Sequence, residues 1–337
     1  MSDKITYKLH SGKPIKALWF ARKAFGMIIP DFLYEKRRKH VLAVAKKRSD
    51  YNEISRRVDY YCQLNNEWSI QKENEIKRSR SWLLYTGTLG GYTRKIFHTA
   101  YFFDQHDVTR WFPKSLRWSF CPGDVYFTPK KPTIVKSRLI NTNNINSVVL
   151  KLDKLRHFMF VNDKKQFREK KDRAIFRGKI RQSRLRTAFL EKFFNTPICD
   201  CGVVGRNEGC PNEWMMPKKT IAEHLDYKFI IALEGNDVAS NLKWVMSSNS
   251  IAVMPRPTCE TWFMEGTLRG DYHYIEVKED FSDLEEKLSY YINHPEKAQE
   301  IIDHAHEYIR QFQDEEREEI IQIMVMDKYL RLSGQKF

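Results

Sequence analysis

Asp172-Arg173-Ala174-Ile175-Phe176-Arg177-Gly178-Lys179-Ile180-Arg181-Gln182-Ser183-Arg184 reads as a strand, a glycine turn and the opening of a helix. Residues 172–176 read as a short strand, and Ser183 stands where a helix running to residue 194 opens. The same grammar recurs downstream. Residues 198–204 read as a strand, 227–233 as a buried strand, Gly235 as a turn, 238–247 as a helix and 250–254 as a strand. Strands spaced by helices in this way predict an α/β fold with a parallel, nucleotide-binding type of sheet.

Beyond residue 282 the chain turns helical. Ser282-Asp283-Leu284-Glu285 suits a helix start, Pro295 opens a helix reaching residue 313, and Glu315–Leu332 begins acidic and ends with Lys328 and Arg331, matching its macrodipole. Upstream, residues 96–103, 124–128, 133–135 and 157–161 read as strands broken by Gly and Pro. A basic stretch at 164–181, with nine cations against two acids, marks the expected junction. The expected organisation is a basic helical segment at 1–60, an acceptor-side domain at 61–165, a nucleotide-sugar domain at 166–312, and a helix at 313–337 packing back on the body.

The 337 residues suit two domains. With 42% hydrophobic residues, the chain has the makings of an ordinary packed core and is not a disordered protein. Lys and Arg number 58 against 43 Asp and Glu, a net charge of +15, which calls for a negatively charged partner. No apolar stretch is long enough to cross a bilayer, and no signal-peptide pattern opens the chain. Six cysteines are too sparse for a secreted disulfide framework, and Cys199, Cys201 and Cys210 lack a standard zinc spacing. A reducing, cytoplasmic location is expected.

The first 60 residues hold 15 Lys and Arg against 6 Asp and Glu. Between Lys16 and Lys39, Leu18, Trp19, Phe20, Phe25, Ile28 and Ile29 alternate with Arg22, Lys23 and the run Lys36-Arg37-Arg38-Lys39. This mixture suits a helix lying on an anionic membrane surface, and equally a solvated helix packed on its own domain.

Two turns carry phosphate-binding character. One spans Arg177, Gly178, Ser183 and Arg184; the other is Glu234-Gly235-Asn236-Asp237-Val238-Ala239-Ser240-Asn241-Leu242-Lys243. Parallel sheets bind ligands at the carboxyl ends of their strands, and backbone N–H groups at a helix N-terminus favour phosphate there. Together the turns predict a diphosphate site. The sequence has no D-x-D, G-x-S-x-G, H-E-x-x-H or C-x-x-C motif, which excludes the commonest metal-held nucleotide-sugar, serine hydrolase, zinc protease and dithiol chemistries.

Phe176-Arg177-Gly178, residues 234–240, Ser250-Ile251-Ala252-Val253, Glu260-Thr261-Trp262-Phe263, His273-Tyr274-Ile275 and Asp283-Leu284 resemble the ordered motifs of glycosyltransferase family 90. The resemblance spans roughly residues 95 to 310. It is strongest to the bacterial lipopolysaccharide-modifying branch, related to protein O-glucosyltransferases, and includes residues 132–138 and Arg156-His157-Phe158. It implies a GT-B-like fold of two Rossmann-like domains facing across a cleft, and inverting, metal-independent transfer from a UDP-sugar without any cofactor.

On that resemblance Arg177 and Lys243 neutralise the diphosphate, with Gly178, Ser183, Arg184, Gly235, Asn236, Asp237 and Ser240 forming the rest of the donor site. Asn241 stands where the family has an arginine, so Arg181 or Arg184 would supply the missing charge. The family's base lies in a Pro-Asp segment, which maps to Asp124 in Pro122-Gly123-Asp124-Val125; Asp104 and Asp107 are rivals. Trp262, Phe263 and His273 read as core residues. The implied acceptor is a lipid-anchored core oligosaccharide at the inner face of a bacterial inner membrane. A nucleic-acid-binding protein would also suit the charge, but no RNP or zinc-finger pattern supports one. A catalytically weak family member binding a glycan partner is the third reading.

Overall fold

The computed structural model describes residues 12–96, 99–140, 143–180, 183–205 and 209–337. It divides into two compact units. Of the described residues, the amino-terminal unit comprises those within 16–155, 259–264 and 312–337, and the carboxy-terminal unit those within 12–15, 156–258 and 265–311.

In the amino-terminal unit, β1 (Glu75–Arg78), β2 (Leu83–Thr88), β3 (Arg117–Cys121) and β4 (Thr133–Val135) are followed by β5 (Ser137–Leu139) and β6 (Ser147–Val149). The sheet order is β1-β2-β3-β4-β6, antiparallel from β1 to β3 and parallel from β3 to β6. Three helices, Lys16–Gly26, Asp31–Ala45 and Tyr51–Tyr61, belong to this unit. So does the helix Glu315–Leu332. Glu318, on that last helix, ties together three distant segments of this unit. Its carboxylate takes Arg57 at 2.6 Å, Lys151 at 2.8 Å and the Trp262 indole N–H at 2.7 Å. Buried charges persist when paired in this way, and removing one partner leaves the others costly.

The carboxy-terminal unit contains β7 (Lys171–Gly178), β8 (Cys199–Val203), β9 (Tyr227–Ile231) and β10 (Ile251–Met254). After β11 (Cys259–Thr261), which pairs with β5 in the other unit's residue set, the chain returns for β12 (Ile275–Glu276). The sheet order is β12-β10-β9-β7-β8, parallel throughout. Phe229, Ile230 and Ile231 are all buried, as a central strand covered on both faces requires. The helix Arg184–Phe193 packs Phe189, Leu190 and Phe193 against Phe176, and Leu284, Leu288, Ile301 and Ile302 join the same cluster from the two later helices. Each such side chain contributes about 1.5–3 kcal/mol by leaving water. This is the expected α/β architecture, with a Rossmann-like parallel sheet.

Several expected elements differ. Residues 96–103 contain the start of the helix Thr99–Thr109, with Phe97 and His98 outside the described residues. Tyr101, Phe103, Asp104, Gln105, His106, Val108 and Thr109 are all buried. A helix enclosed on most sides loses the polar face that gives a helical period away. Residues 124–128 form no strand, because Gly123 adopts φ +106° and Asp124 N–H bonds to Ser81 O at 2.9 Å. Residues 157–161 contain no strand either; the Val161 N–H turns to the Ser247 hydroxyl at 2.8 Å. The helix expected over 238–247 shortens to Leu242–Met246.

Candidate functional site

The parallel register Ala174↔Phe229 and Ile175↔Ile230 sets the carboxyl ends of β7 and β9 side by side. The two turns singled out in the sequence are therefore neighbours. Ser183 caps the helix Arg184–Phe193 by accepting from Arg186 N–H, and its hydroxyl donates to Glu234 O, each at 3.4 Å.

The stronger link comes from Arg186, one turn into that helix. Its guanidinium donates to Lys179 O at 2.7 Å, Leu233 O at 2.8 Å and Glu234 O at 3.0 Å. One side chain thus binds the β7 turn to the β9 turn. Such a fork is a donor geometry that Arg has and Lys lacks. Sequence reasoning passed over Arg186; its position three residues after the cap serine was the available signal.

Arg177 points its donors inward. Nη2 meets Asp200 Oδ1 at 2.6 Å, Nη1 meets the carbonyls of Asp200 and Phe176 at 2.8 and 3.0 Å, and Nε meets Pro217 O at 3.2 Å. The side chain is 3% exposed. Asp200 also accepts from the Tyr227 hydroxyl at 2.5 Å. Despite the cost of burial, the Tyr227 hydroxyl and Arg177 hold the Asp200 carboxyl below its usual range. Lys243 is an internal residue too: its ammonium is wholly buried against Glu265. Both cations are ion-paired within the protein, Arg177 with Asp200 and Lys243 with Glu265.

The rest of the turn is small and close-packed. Gly178 leaves no room for a side chain, since a Cβ would stand 2.6 Å from the Phe176 ring. Gly235 N–H bonds to Asp237 O at 2.9 Å, Asp237 is buried, and Asn236 and Ser240 are half-buried. Asn241, in the position of the family arginine, donates from Nδ2 to Ile231 O at 3.1 Å and so ties the turn to β9. Arg184 is exposed beside the cap. Arg181 lies outside the described residues. Chemically, this edge offers an exposed cation, a forked guanidinium and the first-turn N–H groups of a ten-residue helix. That combination suits an anion.

Asp124 belongs to the amino-terminal unit. Its Oδ1 receives the Lys136 ammonium at 2.8 Å, with the lysine side chain 1% exposed and the aspartate 18%. Gly123 is obligatory beside it, because its φ of +106° is left-handed and a Cβ would meet Ser81 O at 2.2 Å. Of the two rivals Asp104 is less accessible, whereas the Asp107 side chain is 30% exposed. Asp104 is fully buried, accepts from Lys154 N–H at 3.0 Å, and is pushed up to about 7 by burial. Asp107 is ion-paired with both Lys23 and Lys154; against the effect of burial, the two ammonium groups hold its carboxyl low.

Of the residues read as core, Trp262 and Phe263 are buried, whereas His273 is half-buried. Trp262 stacks on Tyr61 at 3.8 Å, and Phe263 packs on Phe312. His273 accepts Arg269 N–H at 3.0 Å, and burial pushes its imidazole down to about 4, so it is neutral at physiological pH. The family-type segments 132–138 and 260–263 meet directly: β5 and β11 pair Arg138 with Glu260, whose Oε1 takes Arg138 Nε at 2.6 Å. All six cysteines are free thiols.

Comparison with known proteins agrees with these motifs. The model of glycosyl transferase family 90 matches residues 132–333. O-glucosyltransferase LpsA of Dichelobacter nodosus is 43% identical over 237 residues, covering 69% of this chain and 73% of that protein. Protein O-glucosyltransferase 3 of Rattus norvegicus is 28% identical over 137 residues, 39% of this chain and 26% of its own length.

Proposed function

The chain belongs to glycosyltransferase family 90, and from that premise we propose inverting, metal-independent transfer of a sugar from a UDP-sugar to a lipopolysaccharide core or related surface glycan. The observation that carries the donor site is the Arg186 bridge between the β7 and β9 turns. It supports a diphosphate lying over Gly178, Ser183, Gly235 and Ser240, within reach of Arg184. Arg177 and Lys243 act there as positioning residues, fixing the strand ends through Asp200 and Glu265. Both relatives carry O-glucosyltransferase names, which makes UDP-glucose the first donor to test.

In the proposed reaction Asp124 accepts the proton of the acceptor hydroxyl as that oxygen bonds to the anomeric carbon. The bond from the anomeric carbon to the phosphate oxygen breaks, and its electron pair leaves with UDP. Negative charge then grows on the diphosphate, where preorganised cations and N–H groups stabilise the transition state more than the ground state. Lys136 keeps the Asp124 carboxylate in one orientation. The acceptor is proposed to be lipid-anchored, with the protein peripheral on the cytoplasmic face of the inner membrane. No helix among the described residues is long and apolar enough to cross a membrane.

Thermal unfolding with UDP tests the donor proposal. UDP at 100 times its dissociation constant stabilises the folded state by about 2.7 kcal/mol. The expected result is a rise in Tm with UDP and none with an unrelated nucleoside. Absence of any shift with UDP or UDP-sugars, alongside tight salt-sensitive RNA binding, would overturn it.

A further inference from the structure

The first two helices among the described residues, Lys16–Gly26 and Asp31–Ala45, follow one another across a short turn, and the outer surface of this pair is apolar in a way the rest of the described residues are not. Eight of the thirteen exposed large hydrophobic side chains among the described residues fall between Leu18 and Val44. The tip is the most open part: Phe25 is 75% exposed, Ile28 69% and Phe32 52%. Exposed apolar residues scattered singly are ordinary, but a contiguous set marks an interaction surface.

This tip is held, not frayed. Arg110, itself buried, donates to Gly26 O at 3.2 Å and Ile29 O at 2.8 Å, and lies over the Tyr34 ring at 3.6 Å. Asp31, at the start of the second helix, takes Lys114 at 2.8 Å and the His106 ring at 3.3 Å. The inward face differs from the sequence expectation. Trp19 and Phe20 pack against Phe103, and Arg38 is buried with Nη1 on Trp111 O at 3.1 Å. These three side chains anchor the two helices to their unit. What they leave outside is Phe25, Ile28, Ile29 and Phe32.

The charges around the tip have one sign. Lys16, Arg22, Lys36, Arg37 and Lys39 are exposed, whereas the acids between residues 16 and 47 are only Asp31 and Glu35, both partly buried. An apolar wedge ringed by cations complements a bilayer interface with anionic headgroups. A nucleic acid would use the cations but gain little from exposed Ile28 and Ile29.

We propose that this helix–turn–helix segment docks the protein on an anionic lipid surface, with Phe25, Ile28, Ile29 and Phe32 entering the headgroup layer and the flanking cations meeting acidic lipid. The surface is independent of the donor site, so it stands or falls separately from the transferase proposal.

The test is sedimentation of the full chain with phosphatidylcholine vesicles containing about 30 mol % phosphatidylglycerol. The parent should pellet with them at physiological salt and remain in solution with pure phosphatidylcholine. Changing Phe25, Ile28, Ile29 and Phe32 together to serine, all at exposed positions, should cut vesicle affinity more than about tenfold at unchanged Tm and UDP binding. The K36E/R37E/K39E variant should lose about fivefold per cation, and most of the salt dependence with it. Vesicle binding by the serine variant equal to the parent's would overturn the proposal. So would a parent that forms a dimer abolished by the serine changes while never binding vesicles, or one that prefers an RNA oligonucleotide to the vesicles.

Discussion

A Cβ on Gly235 would stand 3.0 Å from Nη2 of Arg186; the bare glycine is what lets the guanidinium lie across the turn. Arg186 makes its three carbonyl bonds in that space. Arg186→Ala should weaken UDP binding roughly 10- to 100-fold, equivalent to about 1.4–2.8 kcal/mol. Arg186→Lys should recover little, because an ammonium cannot reproduce the fork. Gly235→Ala should give a smaller loss in the same direction. Calorimetric titration with UDP measures all three, and wild-type affinity in Arg186→Ala would remove the bridge from the donor site.

Arg177 should reveal itself first in stability. Removing a partner from a buried ion pair costs about 3–5 kcal/mol, and Arg177 with Asp200 is such a pair. Arg177→Ala should therefore lower Tm strongly, and Asp200→Asn less. A variant with an unchanged Tm but no UDP binding would instead give Arg177 direct contact with the donor.

Much of this was legible in the sequence, and the losses have physical causes. The strands at 171–178 and 227–231 are legible from their apolar runs Ala174-Ile175-Phe176 and Phe229-Ile230-Ile231, each followed by a glycine-containing turn. The cap at Ser183 was equally plain. Arg177 and Lys243 looked like open cations because a sequence displays charge but not the distant partner, here Asp200 and Glu265. Arg186 was hidden for the opposite reason: its carbonyl partners carry no sequence signature. In the amino-terminal unit, residues 96–103 read as a strand although the helix Thr99–Thr109 begins there, because its buried sides leave no period to read. Trp19 and Phe20 looked like membrane anchors until Phe103 supplied their packing partner.

Asp104 should make stability pH-dependent. Burial raises its folded-state pKa from 3.8 to about 7, so the native state holds a proton that the unfolded state releases. Its contribution is present below about pH 3.8 and is lost as pH rises through about 7. Asp104→Asn should flatten the stability profile across that window and stabilise the protein at pH 8, by up to a few kcal/mol. Denaturant unfolding at several pH values checks this; an unchanged profile would remove Asp104 as its source.

Asp124→Asn should separate binding from chemistry. The amide keeps the shape of the side chain but accepts no proton at neutral pH, so kcat should fall about 10²- to 10⁴-fold with UDP affinity retained. Full activity in this variant would move the base elsewhere.

The central claim is transfer from a UDP-sugar by a site that uses Arg and backbone N–H groups in place of a divalent ion. It is tested most directly by measuring UDP release from a panel of UDP-sugars, UDP-glucose first, in EDTA, with and without dephosphorylated core oligosaccharide. The account predicts acceptor-dependent UDP release with at least one donor, undiminished by the chelator and abolished in Asp124→Asn. No release from any UDP-sugar, or activity lost in EDTA and restored by Mn²⁺ or Mg²⁺, would contradict it.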